Sequence, residues 1–110
     1  MGTVEMLAQF GRSRALHVEC PPMITSADGK PISSTRIRTA LQAGDCATAT
    51  RLLTRPFAMR GPVQHGDKVG RTINFPTANL DIGAYLRPRY GIYAVTGRLP
   101  DGRVLKGAAN

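Results

Sequence analysis

The residues best suited to chemistry lie in the stretch Gly66-Asp67-Lys68-Val69-Gly70-Arg71-Thr72-Ile73-Asn74-Phe75-Pro76-Thr77-Ala78-Asn79. Backbone amides approach a ligand closely only where no Cβ intervenes. Gly66 and Gly70, on either side of Lys68 and followed by Arg71, therefore form a flap suited to covering phosphate groups. Pro76 fixes its own φ, and the Thr77 hydroxyl and the Asn79 carboxamide follow it two residues apart. In an extended segment those two side chains share one face, because alternation along a strand has period 2. Two neutral oxygen donors on one face suit a magnesium ion that takes its remaining ligands from water and phosphate.

A second constellation is Ser33-Ser34-Thr35-Arg36-Ile37-Arg38. It places hydroxyls and free backbone amides at a helix start, where the dipole is positive, with Arg38 one turn in, and so offers a cradle for an anion. The same residues also make an ordinary N-cap with solvent-facing arginines. Residue types alone leave both readings open.

Fifteen Lys and Arg against seven Asp and Glu give the 110-residue chain a net charge of +8. A surface of that sign attracts polyanions or phosphorylated small molecules without choosing between them. The alternative function is therefore a small basic nucleic-acid-binding β-barrel module. Nucleic acid is disfavoured, because aromatic residues make up only 5% of the chain and no strand carries interleaved aromatics. No apolar run approaches the ~20 residues that cross a bilayer. The opening Met1-Gly2-Thr3-Val4-Glu5 lacks the basic and apolar regions of a secretory leader. The expectation is a cytoplasmic chain with no membrane partner. Cys20 and Cys46 are far apart, with no CxxC spacing or clustered histidines, so they read as buried or idle thiols rather than zinc ligands or a disulfide.

These residues need elements to position them. Val4, Leu7, Ala8 and Phe10 have helical spacing from Thr3 to about Gly11, which ends that helix, and Ala15 to Cys20 alternates as a half-buried strand does. Ser26-Ala27-Asp28-Gly29-Lys30-Pro31 reads as a turn. Ser33 or Ser34 caps a helix to about Ala43, with Ile37, Ala40 and Leu41 on its inner stripe and Gly44 past its end. Asp45 caps a second helix through Thr54, burying Ala49, Leu52 and Leu53, which makes a helical hairpin. Beyond Pro56 the chain turns to strands: Phe57 to His65, interrupted by Gly61-Pro62, and Gly91 to Thr96. Pro100-Asp101-Gly102 then turns the latter into a hairpin. Strands separated by Gly and Pro turns predict a small antiparallel barrel.

The run His65-Gly66-Asp67, Gly70-Arg71, Phe75-Pro76-Thr77-Ala78-Asn79-Leu80, Gly91-Ile92-Tyr93-Ala94-Val95 and Gly107-Ala108-Ala109-Asn110 resembles the first half of a riboflavin kinase barrel. Upstream, Ile32 to Arg38 resembles the phosphate-binding motif near the end of the nucleotidyltransferase domain that precedes this kinase in bacteria. In this order the two motifs are similar to those of the bifunctional riboflavin kinase/FMN adenylyltransferase (FAD synthetase) family. That resemblance implies an α/β, nucleotidyltransferase-like tail over residues 1–55 and an incomplete small antiparallel β-barrel over residues 56–110. It implies a fragment from the middle of a longer enzyme, inactive alone, without the HxGH motif of the transferase or the catalytic base of the kinase. The implied reactions are ATP-dependent phosphorylation of riboflavin to FMN and adenylylation of FMN to FAD, with Mg2+ required. Gly66, Gly70, Arg71, Thr77 and Asn79 would bind ATP for the kinase, Thr77 and Asn79 also serving the metal. Ser34, Thr35 and Arg38 would hold ATP phosphates for adenylyl transfer, with Ser33 beside them as the cap.

One position departs from the family pattern. Asn74 stands where glycine is usual; Asn tolerates left-handed backbone better than most residues, but its side chain would crowd a ligand close to that backbone. No catalytic residue is assigned. His65 has no partner carboxylate and reads as loop-shaping. The resemblance places the general base, a glutamate, beyond Asn110, and Asp67, Asp81 and Asp101 lie in the flap or in turns. Tyr85 and Tyr90 could stack on a flavin, Tyr93 belongs to a strand core, and Arg87-Pro88-Arg89 reads as a solvated basic loop.

Overall fold

A computed structural model describes residues 2–64 and 77–110. They form α1 (Val4–Ser13), α2 (Ser34–Gln42), α3 (Cys46–Leu53), β1 (Val63–Gln64), β2 (Asn79–Leu80), β3 (Tyr93–Arg98) and β4 (Val104–Ala109). The chain divides into two compact units, Met1–Ile32 and Ser33–Asn110.

In the first unit, Thr3 caps α1, its hydroxyl accepting the Met6 N–H at 3.1 Å. Glu5 in the first turn and Arg12 in the last complement the helix dipole. Two expectations fail here. Gly11 does not end the helix, which runs on to Ser13. Instead Gly11 is buried, and a Cβ there would run into the Val18 side chain and lie 3.0 Å from the Leu16 carbonyl oxygen. Close approach of the returning chain, rather than helix termination, is what requires glycine at this point. The reversal falls at Ala15, whose φ of 54° is left-handed, and the Leu16 N–H donates back to the Gly11 carbonyl at 2.8 Å. The expected strand from Ala15 to Cys20 is also absent: no described residue pairs with it, and alternation without a partner forms no ladder. The turn after it does form. Thr25 bridges Pro31, and Asp28 accepts both the Ser26 hydroxyl and the Lys30 N–H (3.1 Å), with Gly29 at φ 79°.

The second unit opens with the expected helical hairpin. Ser33 caps α2, accepting the Arg36 N–H at 3.2 Å. At the other end Gly44 (φ 76°) turns left-handed, its N–H donating to Leu41 (3.1 Å) while the Asp45 N–H donates to Ala40 (2.8 Å). That pair of bonds is the Schellman closure, which satisfies carbonyls a helix end would otherwise leave open. Asp45 then opens α3, its carboxylate accepting the Thr48 N–H at 3.1 Å. Hydrogen bonds from the Thr48 side chain and backbone, with Arg51 nearby, hold the Asp45 carboxyl below the usual carboxylate range.

A depressed carboxyl contributes stability that is complete above its unfolded pKa and is lost as pH falls through its folded value. The α2–α3 hairpin is therefore expected to lose helicity in acid, below about pH 4. Asp45→Asn keeps a good cap and removes the titration. Far-UV circular dichroism against pH should show a flatter acid limb for that variant; identical limbs would separate Asp45 from acid sensitivity.

Among the described residues the buried apolar side chains are Ala40 and Leu41 from α2 and Ala49 and Leu52 from α3, with Ile37, Phe57 and Leu86 packed against the cluster of Ala40, Leu41 and Ala49. Leu53, expected inside, is half-buried. Of the expected strand from Phe57 to His65, the described residues form only Val63–Gln64, because Phe57 turns into the core and Gly61-Pro62 breaks the run, and His65 lies outside the described residues. β1 and β2 are antiparallel, Val63 opposite Leu80 and Gln64 opposite Asn79, extended by the Asp81 N–H to Pro62 (3.0 Å). Gly61 lies so close to the Asp81 backbone that a Cβ would overlap its carbonyl.

β3 and β4 pair from Tyr93 opposite Ala109 to Arg98 opposite Val104. The Pro-Asp-Gly turn joins them as expected: the Gly102 N–H donates to Leu99 (2.9 Å), and Asp101 accepts from the Arg103 N–H (3.0 Å) and Nε (2.7 Å). The described residues form a small α/β arrangement with two separate two-stranded antiparallel sheets. Among the described residues these sheets do not close into a barrel.

Candidate functional site

The first site is built on the start of α2. The Ser33 hydroxyl is engaged as the cap, whereas Ser34, Thr35 and Arg38 are exposed. Ser34 and Arg38 border a groove of about 240 Å³ whose other walls are Ile37, Leu41, Leu53, Phe57 and Leu86. Thr35 lies outside that lining, and Arg36 is half-buried. An apolar floor with one hydroxyl and one guanidinium beside a helix N-terminus can hold a molecule with an uncharged portion and an anionic group.

The second site is framed by β1 and β2. Asn79 lies within β2 and Thr77 just before it, both exposed, so their oxygens are open to a ligand. Hard oxygen donors of this kind fit magnesium. The other members of this constellation, Gly66, Gly70 and Arg71, lie outside the described residues, as do His65, Asp67, Lys68 and Asn74. Asn79 is paired with Gln64 of β1.

Neither described acid of the strand region is free for proton transfer. Asp81 accepts the Gly83 N–H (3.0 Å) in a turn, and Asp101 is bound to Arg103. Among the described residues no cluster of three His, Cys, Asp or Glu could hold a metal, and Cys20 and Cys46 are unpaired and exposed. No described helix is long and apolar enough to cross a membrane.

Tyr85 and Tyr90 are exposed, and Tyr93 is half-buried with its hydroxyl donating to the Arg89 carbonyl. The Arg87-Pro88-Arg89 loop departs from the solvated reading in one respect. The two arginine side chains are exposed, but Pro88 is half-buried and the Arg89 N–H donates to Leu41 at the end of α2 (3.0 Å). Sequence reasoning missed this docking, a backbone contact with no side-chain signal, and it missed Phe57 and Leu86 as groove walls; for Leu86, an apolar residue just ahead of a rigid Pro88 was the available signal.

The riboflavin kinase (flavokinase) family profile matches residues 53–110. The chain belongs to the riboflavin kinase family. It is 47% identical over 83 residues to the bifunctional riboflavin kinase/FMN adenylyltransferase of Haemophilus influenzae, an alignment covering 76% of this chain and 27% of the relative. Identity to the protein of the same name in Bacillus subtilis is 50% over 82 residues, 74% of this chain and 26% of that one. The Pseudomonas fluorescens counterpart aligns with all 110 residues at 37% identity, 35% of its length. A crystal structure described as a macrolide-efflux protein from Streptococcus pneumoniae superposes on 97% of this chain with a TM-score of 0.70 and 35% identity, covering 34% of that protein. The chain thus spans between a quarter and about a third of the length of these curated relatives.

Proposed function

We propose that the protein acts in flavin cofactor synthesis, phosphorylating riboflavin to FMN with ATP and adenylylating FMN to FAD. The observation that carries this reading is the order of its parts: an exposed Ser34 and Arg38 at an apolar groove, followed by a riboflavin kinase match that contains Thr77 and Asn79. Residues 1–55 are assigned to the end of a nucleotidyltransferase-like domain and residues 56–110 to the start of the kinase barrel. Support for the boundary comes from the family match beginning at residue 53. Support for the upstream assignment comes from the Pseudomonas fluorescens relative, which aligns through the whole first half. The proposed setting is the cytoplasm.

In adenylyl transfer, the amides at the start of α2, the Ser34 and Thr35 hydroxyls and the Arg38 guanidinium would bind ATP phosphates, with Ser33 holding the helix end in shape. A charged, planar fork one turn into the helix favours a bidentate hold on phosphate oxygens. In the kinase, Thr77 and Asn79 would hold Mg2+ and orient the nucleotide, and Gly66, Gly70 and Arg71 would cover its phosphates. Magnesium, when bound, would neutralise charge on the phosphoryl oxygens, and phosphoryl transfer depends mainly on such positioning and neutralisation. No residue of this chain is assigned as the base that deprotonates riboflavin.

The test is a chimera in which these 110 residues replace the matching span of the Pseudomonas fluorescens enzyme. Arg38→Ala is expected to raise the KM for ATP in FAD formation about tenfold, the worth of one charge-assisted hydrogen bond, and to leave FMN formation unchanged. Equal effects on both reactions, or on neither, would contradict the assignment of this helix to adenylyl transfer.

A further inference from the structure

The segment from Leu86 to Tyr93 meets α2 at two places. Leu86 packs against the buried cluster of Ala40, Leu41 and Ala49 and lines the groove with Ser34 and Arg38. Three residues on, the Arg89 N–H donates to the Leu41 carbonyl (3.0 Å), which also takes the Gly44 N–H (3.1 Å). The Arg89 carbonyl in turn accepts the Tyr93 hydroxyl, so this one peptide segment is tied to the helix end on one side and to β3 on the other. Packing reinforces the tie: a Cβ on Gly44 would lie 3.6 Å from the Arg89 Cβ and Cδ and from the Tyr93 hydroxyl. Those are ordinary van der Waals distances, so the segment lies directly against the hairpin turn, and glycine is called for there by its left-handed φ of 76°.

We propose that residues 86–93 are a strap that positions α2, with the Arg89 backbone and the Tyr93 hydroxyl as its positioning groups. Ser34 and Arg38 sit on a nine-residue helix, a rigid rod about 14 Å long, so fixing its C-terminal end also fixes where its N-terminal amides point. The strap lies wholly within the part of the chain that matches riboflavin kinase, residues 53–110. The phosphate grip proposed for adenylyl transfer is therefore held in place by the kinase-matching region. The ligand part of this inference rests on the reading of Ser34 and Arg38 given above; the mechanical part does not.

Hydrogen exchange on the full chain, with an NMR titration by inorganic tripolyphosphate, tests both. In the unsubstituted chain the Arg89 amide should be protected to the same degree as the α2 amides; exchange at the rate of an open amide would overturn the strap without any variant. Tyr93→Phe removes one hydrogen bond and should speed exchange of the α2 amides about two- to tenfold, weakening tripolyphosphate binding by a similar factor. Arg89→Ala keeps the docking amide and should leave both within about twofold. Faster exchange confined to residues 89–93 in Tyr93→Phe, or faster α2 exchange with unaltered binding, would refute positioning. Arg38→Ala separates the two ideas: it should abolish tripolyphosphate binding and leave exchange unaltered. If the unsubstituted chain fails to bind tripolyphosphate, the phosphate reading fails, and the exchange data still decide the strap.

Discussion

Thr77→Ala and Asn79→Ala, placed singly in the chimeric enzyme, are each expected to lower kcat for FMN formation about 100-fold, the scale on which loss of one preorganised polar group slows transfer chemistry. Both side chains are exposed beside or within a strand, and neither contributes to the buried cluster. Their truncation should therefore leave the fold intact. FAD formation from supplied FMN should be unchanged, because the grip on ATP proposed at the start of α2 lies elsewhere in the sequence. Raising magnesium should recover part of the lost rate if these oxygens hold the ion. Undiminished FMN formation in both variants would remove them from the kinase site. A parallel loss of both activities would mark them as structural.

The helical hairpin was legible because each of its signals is local. Ser33, Asp45 and Gly44 have side chains or backbone freedom that act within four residues, and all three occupy the cap and closure positions their types suggest. The Pro-Asp-Gly turn is local in the same sense. What failed depended on partners far along the chain. The alternation from Ala15 to Cys20 says only that a strand would have two unlike faces, and it carries no information about whether a neighbour exists to pair with it. Gly11 looked like a stop because a stop is the commonest local use of glycine. Its actual role depends on Val18 returning across it. At the candidate site, residue types pointed to Ser34 and Arg38, but the groove beside them is completed by Phe57 and Leu86, whose approach no spacing rule reports. The docking of Arg89 on Leu41 is a backbone contact, so no side-chain type could announce it.

Leu41→Ala is expected to destabilise the second unit by roughly 2–5 kcal/mol, the range for emptying a buried leucine site. The expectation is toward the upper end because the core is small. Leu41 is 3% exposed, and the other buried apolar side chains among the described residues are Ala40, Ala49 and Leu52. Two of these are alanines with little surface to bury, so Leu41 supplies much of the apolar contact between α2 and α3. The same residue walls the candidate groove, and its carbonyl receives the Arg89 amide. A cavity there removes packing from the helix that carries Ser34 and Arg38 while leaving both side chains in place. Denaturant unfolding followed by far-UV circular dichroism should show the midpoint falling sharply. The control is Leu105→Ala, at a site 51% exposed, where a surface substitution should change stability by no more than about 0.5 kcal/mol. Were the two variants to lose equal stability, the buried cluster around α2 could not be what holds this unit together, and an exposed strand face would have to be doing so instead.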